Sequence, residues 1–375
     1  MDIESRVISI ETLTPSTPTP KYQQKYQLSF LDQGIHPSFS PFVYFYSSKS
    51  NPKFSNSDKS NLIKKSLSDV LSIYYPLAGR IVGNLYVDCN DAGIPFSEAE
   101  ADCDLSHSQV IANQNPKNLK KFYLLKRMIP KNFAWRNSGG GVSLPKFDTA
   151  TYVPPLDILI NLQLTSGLVE EDNAARVFVF SASEISALQE RYTAGGHRPS
   201  RVEALSAFTW GLYIGIRSDP GKICVVHNAV NLRNRADPPL SQYQFGNLVV
   251  SSRLEAAAGV GGAELIWKVR EALKAVDAGY VGRLKKREMQ LKLIKAGAGK
   301  SMVDRFFFSS LCKFPLYEAD FGWGRPDRVM FGGFPYKNLA TFMDTRCGGG
   351  IETLIQLTKQ DMDKLEAHFL LRSYL

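Results

Sequence analysis

The ten residues Tyr317 to Pro326, "YEADFGWGRP", gather three aromatic rings, two glycines, two acids and one base. An Asp-Phe-Gly triplet can hold magnesium for phosphoryl transfer, but that chemistry also needs a Gly-x-Gly-x-x-Gly loop, a strand lysine and a His-Arg-Asp loop ahead of it. None of these precedes Asp320. Nucleophilic hydrolysis finds no support either, because no Gly-x-Ser-x-Gly elbow occurs. Imidazole is the side chain suited to proton transfer, because it titrates near neutrality. The histidines are His36, His107, His197, His227 and His368. His36 follows Leu31-Asp32-Gln33. His227 stands in the apolar run "CVVHNAV" and reads as a packed side chain. The other three lie in polar or terminal contexts and read as solvated.

The bulk properties narrow the field. A chain of 375 residues suits two domains. Cys89, Cys103, Cys224, Cys312 and Cys347 are scattered, odd in number and without a Cys-x-x-Cys pair, which argues against a disulfide framework or a zinc cage. No apolar run reaches the length of a membrane span, and "MDIESRVISIETL" has no signal-like apolar core. A cytoplasmic protein is expected. The net charge of +9 favours an anionic partner. The excess is concentrated in residues 283–300 (Arg283, Lys285, Lys286, Arg287, Lys292, Lys295 and Lys300 against Glu288) and in "KNLKKFYLLKRMIPK" at 117–131. Each is either a solvated face or a seat for a polyphosphate. Neither interleaves its bases with stacking aromatics in a recognised module, so nucleic acid is not expected as a partner.

The elements that must position any site follow from periodicity. Ile63, Leu67, Val70, Leu71 and Tyr74 predict a helix ending before Pro76 and Gly79. Ser181 with Glu184, and Ser200 with Glu203, form capping boxes that start two more helices. Thr358 and Asp361 open a last helix burying Met362, Leu365 and Phe369. Residues 176–181 and 222–231 read as buried strands, and 338–346 with 351–357 as a hairpin about Gly348-Gly349-Gly350. Residues 145–173 carry Pro145, Pro154 and Pro155 with little periodicity, as a link between domains would.

With those elements in place, a set of motifs resembles the BAHD acyltransferases, plant enzymes that move an acyl group from coenzyme A to an alcohol or amine. The vinorine synthase-like, alkaloid-acylating branch is the most similar. The motifs stand in order along nearly the whole chain: "LSFLDQ" (28–33), "YYPLAGRI" (74–81), "VDCNDAGIPFSEA" (87–99), "LPKFDTATYVPP" (144–155), "SRVEALSAFTW" (200–210), "AVNLRNRADPPL" (229–240), "FGN" (245–247) and "FPLYEADFGWGRP" (314–326). The resemblance implies an α/β fold of two chloramphenicol-acetyltransferase-like domains with mixed sheets. These are residues 1–144 and 174–375, joined by a crossover loop at 145–173. It implies acyl-CoA as co-substrate and a small-molecule alcohol as acceptor, in a monomer that binds no metal. It makes Asp-Phe-Gly-Trp-Gly architectural: Asp320 would pair with Arg233, or with Arg235, while Gly322 and Gly324 allow a tight path on either side of Trp323.

One family feature has no counterpart. The family's general base is the histidine of His-x-x-x-Asp, and here the fourth residue after each histidine is Ser40, Ile111, Arg201, Asn231 or Arg372. No catalytic residue is therefore assigned. The resemblance places the loss near 118–132, with Phe133 and Trp135 at the end of a lost helix, and implies an N-terminal domain that is incomplete. The chain is either the mis-spliced product of an ordinary acyltransferase gene or a shortened relative that binds without turnover.

Overall fold

Among the described residues, six strands lie before residue 102 and seven from residue 173 onward, and their pairing sets the architecture. A computed structural model describes residues 5–35, 41–47, 53–102, 144–156, 173–217, 223–257, 260–297, 304–334 and 336–370. The first part supplies β1 (Ser5–Leu13), β2 (Lys25–Gln27), β3 (Phe42–Phe45), β4 (Arg80–Val82), β5 (Tyr86–Asp88) and β6 (Ile94–Ala101). β1 pairs antiparallel with β6, and β2-β5-β4 form a second small antiparallel sheet. Later residues supply β7 (Asn173–Phe180), β8 (Ile223–Asn231), β9 (Val249–Ala257), β10 (Asp304–Ser310), β11 (Arg328–Phe331), β12 (Leu339–Asp344) and β13 (Ile351–Thr358).

Six of these build one mixed sheet in the order β7-β13-β12-β10-β8-β9. β8, β10 and β12 run parallel at its centre, and the flanking pairs are antiparallel. Helices 182–191, 201–215, 262–274 and 359–370 cover one face, burying Leu188, Leu205, Trp210, Tyr213, Phe306 and Phe342 in a single core. Against the other face, β11 pairs antiparallel with β3, so residues 42–45 pack beside the C-terminal sheet. The protein is thus α/β with mixed sheets.

Both expected capping boxes are formed, Ser181 with Glu184 and Ser200 with Glu203. Thr358 Oγ1 accepts from the Asp361 amide at 3.2 Å as the last helix begins. A third box, Ser55 with Asp58, starts the 56–73 helix and had not been picked out from the sequence. Of that helix's stripe only Leu71 is fully buried, because its support is the narrow β1–β6 pair through Leu13, Ile94 and Phe96. Of the 145–173 link, residues 145–156 are described, together with Asn173, which already belongs to β7. The basic run 117–131, the 118–132 region and Phe133 and Trp135 lie outside the described residues.

Candidate functional site

Four of the sequence motifs meet at one junction. In "LSFLDQ", Asp32 Oδ2 accepts from the Ser29 amide and hydroxyl at 2.9 and 2.6 Å, while Oδ1 accepts from the Asn247 amide of "FGN" at 2.6 Å. Gln33 exchanges two hydrogen bonds with Leu156 at 2.9 and 3.1 Å, which fastens the end of "LPKFDTATYVPP". Gln244 donates to Asp148 Oδ1 at 2.6 Å, and Thr149 Oγ1 and Tyr26 Oη both donate to the Phe245 carbonyl. Gly246 has φ +115°, and a Cβ there would meet Tyr26 Oη at 2.9 Å and Thr149 Oγ1 at 3.2 Å, so the crossing needs glycine. Burial pushes the Asp32 carboxyl above the usual carboxylate range, against the donors from Ser29 and Asn247 and the positive charge of Arg233.

Arg233 belongs to this junction and not to the aromatic loop. Its guanidinium donates to the Gln244 carbonyl at 2.7 Å and the Gly246 carbonyl at 3.2 Å, and Asp32 is the carboxylate acting on it. Arg235 donates to the Leu273 and Val276 carbonyls at 2.5 and 2.7 Å, capping the end of the 262–274 helix. The expected pairing of Asp320 with Arg233 or Arg235 is therefore corrected. Asp320 is exposed, and its Oδ1 accepts from the amides of Gly322 and Gly324 at 2.8 and 2.9 Å. Among the described residues Asp320 forms no ion pair, while the two guanidiniums are taken up by backbone carbonyls.

The loop is held by aromatic packing. Gly322 and Gly324 take φ +105° and +111° on either side of buried Trp323. Trp323 stacks on Phe321 and meets the edge of Tyr46, whose hydroxyl donates to the Ala319 carbonyl at 2.7 Å. Asp320→Ala should accordingly cost about 1 kcal/mol, as the loss of a cap does. Urea denaturation checks this, and a loss as large as that of a buried ion pair would contradict the assignment.

A cleft opens where helices 201–215 and 262–274 cross the carboxyl ends of β8 and β10. This is the end at which parallel α/β sheets hold ligands. Its volume is about 120 Å³. Leu265, Val269, Phe308 and Phe342 make apolar walls, with Ser206, Asn228 and Ser309 among the polar lining. At the rim, Arg270 donates to both oxygens of Glu203 at 2.7 and 3.1 Å. Burial alone would raise the Glu203 carboxyl, but Arg270 and the Ser200 donors hold it below its ordinary range. None of these cleft residues had been singled out as ligand-binding from sequence. The available signal was Asn228, a carboxamide at a position of β8 whose neighbours on the same face are apolar.

His227 lies on the opposite face of β8. Its Nδ1 is 2.8 Å from Ser251 Oγ, its ring stacks on Phe307 at 4.7 Å, and Nε2 is enclosed without a partner. Burial, with Arg305 and Arg253 nearby, pushes its pKa down to about 4. An imidazole closed off in this way is a packed residue and not an accessible base. Its folded pKa lies below that of the unfolded chain, so the unfolded state takes up the proton more readily. Stability is full above about pH 6.5 and should fall by up to about 3 kcal/mol as pH drops toward 4. Urea unfolding of His227→Gln should show a flatter profile across that window; an unchanged profile would mean His227 is not the group responsible. His197 sits against the edge of Trp267, while His36, His107 and the side chain of His368 lie outside the described residues.

The chain matches the model of the Transferase family over residues 4–136 and 154–371. It is 28% identical to stemmadenine O-acetyltransferase of Catharanthus roseus, covering 98% of this chain and 97% of that one. It is 30% identical to vinorine synthase of Rauvolfia serpentina, covering 97% and 96%. The crystal structure of vinorine synthase superposes with a TM-score of 0.79 over 98% of both chains. Fusarium graminearum TRI101, solved with coenzyme A and T-2 mycotoxin, shares the fold at 17% identity with a TM-score of 0.63 over 92% of this chain and 97% of that one. The alignment with stemmadenine O-acetyltransferase spans 419 positions, so a chain of 375 residues leaves at least 44 of them to the relative alone.

Proposed function

Since the chain belongs to the Transferase family, the plant BAHD acyltransferases, we propose that it descends from acyl-CoA-dependent O-acyltransferases of specialised metabolism. The reaction would move an acyl group, acetyl first among candidates, to an alcohol such as an alkaloid hydroxyl. The acceptor oxygen attacks the thioester carbonyl, a C–O bond replaces the C–S bond, the hydroxyl proton passes to a base, and coenzyme A leaves as the thiol. The observation that carries the reading is the family match over residues 4–136 and 154–371, together with relatives named as O-acetyltransferases that align along nearly the whole chain.

A second reading has one observation in its favour. No histidine of the sequence stands four residues before an aspartate, so the base of the family reaction is not supplied by that motif. On this reading the chain is a non-catalytic ligand-binding or interaction protein on the same scaffold. Titration calorimetry with coenzyme A, beside product formation from acetyl-CoA and a panel of alcohols, separates the two. Binding with turnover supports the enzyme and binding without turnover supports the binder; failure to bind coenzyme A removes the enzyme and leaves only the interaction protein. The proposal includes a cytoplasmic location, in keeping with the free thiols of Cys89, Cys224, Cys312 and Cys347, and a monomer, which size-exclusion chromatography tests.

A further inference from the structure

Every second residue of β8 faces the helices, and Cys224, Val226 and Val230 on this face are all buried. Position 228 breaks the apolar series with a carboxamide. Asn228 is 9% exposed and lines the cleft, and its Nδ2 is buried without a hydrogen-bond partner among the described residues. Its cross-strand neighbours are Phe308 on β10 and Ser252 on β9, whose hydroxyl is likewise buried and unpartnered. A leucine would suit this face and leave no N–H unpaired. Departures of this kind from the local pattern concentrate at functional positions.

We infer that the cleft between helices 201–215 and 262–274 and the sheet is a separate small-molecule site. Its ligand is a compact, neutral, largely apolar molecule that presents one carbonyl or hydroxyl oxygen to Asn228. The site places no co-substrate in the cleft and stands on the C-terminal part of the chain alone. The cleft's volume of about 120 Å³ is close to the ~150 Å³ of an apolar cavity that holds benzene. Its walls of Leu265, Val269, Phe308 and Phe342 offer ordered water few of the two to four partners, roughly, that it needs. Glu203 is the one charged residue of the lining, and Arg270 and Ser200 already occupy its carboxylate, so no free charge awaits an ion. A carboxamide donates and accepts, so Asn228 selects for oxygen without selecting for charge. A ligand oxygen there satisfies an N–H that otherwise stays buried and unpaired. Apolar walls with a few placed polar groups are the usual make-up of such sites.

Cyclopentanone and its hydrocarbon isostere methylenecyclopentane, titrated by NMR against the wild type, Asn228→Ala and Asn228→Leu, test the site. The wild type should bind both saturably. Intermolecular cross-peaks to the methyl groups of Leu265 and Val269 should locate them there without any substitution. Asn228→Ala keeps the apolar walls but removes the amide, so cyclopentanone should weaken by about tenfold while methylenecyclopentane stays within about threefold. Asn228→Leu fills the space, so both probes should weaken. Cooperative urea unfolding with the wild-type slope shows that a variant is folded. Saturating coenzyme A should leave cyclopentanone bound. A wild type that binds neither probe, or cross-peaks that fall elsewhere, overturn the inference, as do equal effects of Asn228→Ala on ketone and hydrocarbon. Displacement of cyclopentanone by coenzyme A also overturns it, because the probe would then occupy the co-substrate's own path, and the acyl-CoA reading would stand.

Discussion

Product formation from acetyl-CoA by this chain is expected to run about 10²–10⁴-fold slower than by a version with a His-x-x-x-Asp helix restored within residues 118–132, because that is the usual contribution of a general base. The estimate concerns proton transfer alone and excludes any cost to folding. Attack on a thioester by a neutral hydroxyl develops positive charge on the acceptor oxygen, which must be relieved as the C–O bond forms. His227 cannot take this proton where it stands, since its Nε2 is enclosed and burial pushes its pKa down to about 4. The rates should be compared at saturating acetyl-CoA across several alcohols, so that weak binding is not mistaken for slow chemistry. Turnover by the short chain within tenfold of the restored one would sink the idea and require another base.

Asp32→Ala should lower the unfolding free energy by about 3–5 kcal/mol, the range for breaking one side of an enclosed charge arrangement. The aspartate accepts from Ser29 and Asn247 and is the carboxylate that acts on Arg233, so its loss strands two amides and a cation. Arg233→Met should fall in the same range, because Asp32 is then left in surroundings that already disfavour its charge. The two changes should couple: Arg233→Met costs less when Asp32 is already Ala, with an interaction of about 1–3 kcal/mol. Additive losses in urea denaturation would show that the two residues stabilise the junction independently. Asp320→Ala, expected to cost far less, serves as the comparison.

Both results turn on features that were unequally visible in the sequence. The motifs "LSFLDQ", "LPKFDTATYVPP", "NLR" and "FGN" could be marked, since their residue types are unusual and their order is fixed. Their partners could not. Asp320 and Arg233 are both members of motif segments, and a charge pair between them satisfies every local rule. Only the fold shows that Asp320 is spent on the amides of Gly322 and Gly324, while Arg233 is spent on carbonyls 244 and 246. The cleft was harder still to foresee, because its walls come from two helices and three strands widely separated along the chain.

What the sequence determined by itself is local and compositional. The capping boxes at Ser181 and Ser200, the strands at 176–181 and 222–231, the glycine-turned hairpin and the family membership all follow from short-range hydrogen bonding, side-chain periodicity or motif order. The absence of His-x-x-x-Asp is likewise a fact of the sequence alone. The tertiary structure decided which charges meet, which carboxylate is desolvated, which face of β8 His227 and Asn228 occupy relative to the helices, and where a cleft is left between them. The physical reason is range. A cap or a turn is settled within a few residues, whereas desolvation, charge pairing and cavity shape depend on segments up to about two hundred residues apart, whose approach no local pattern encodes.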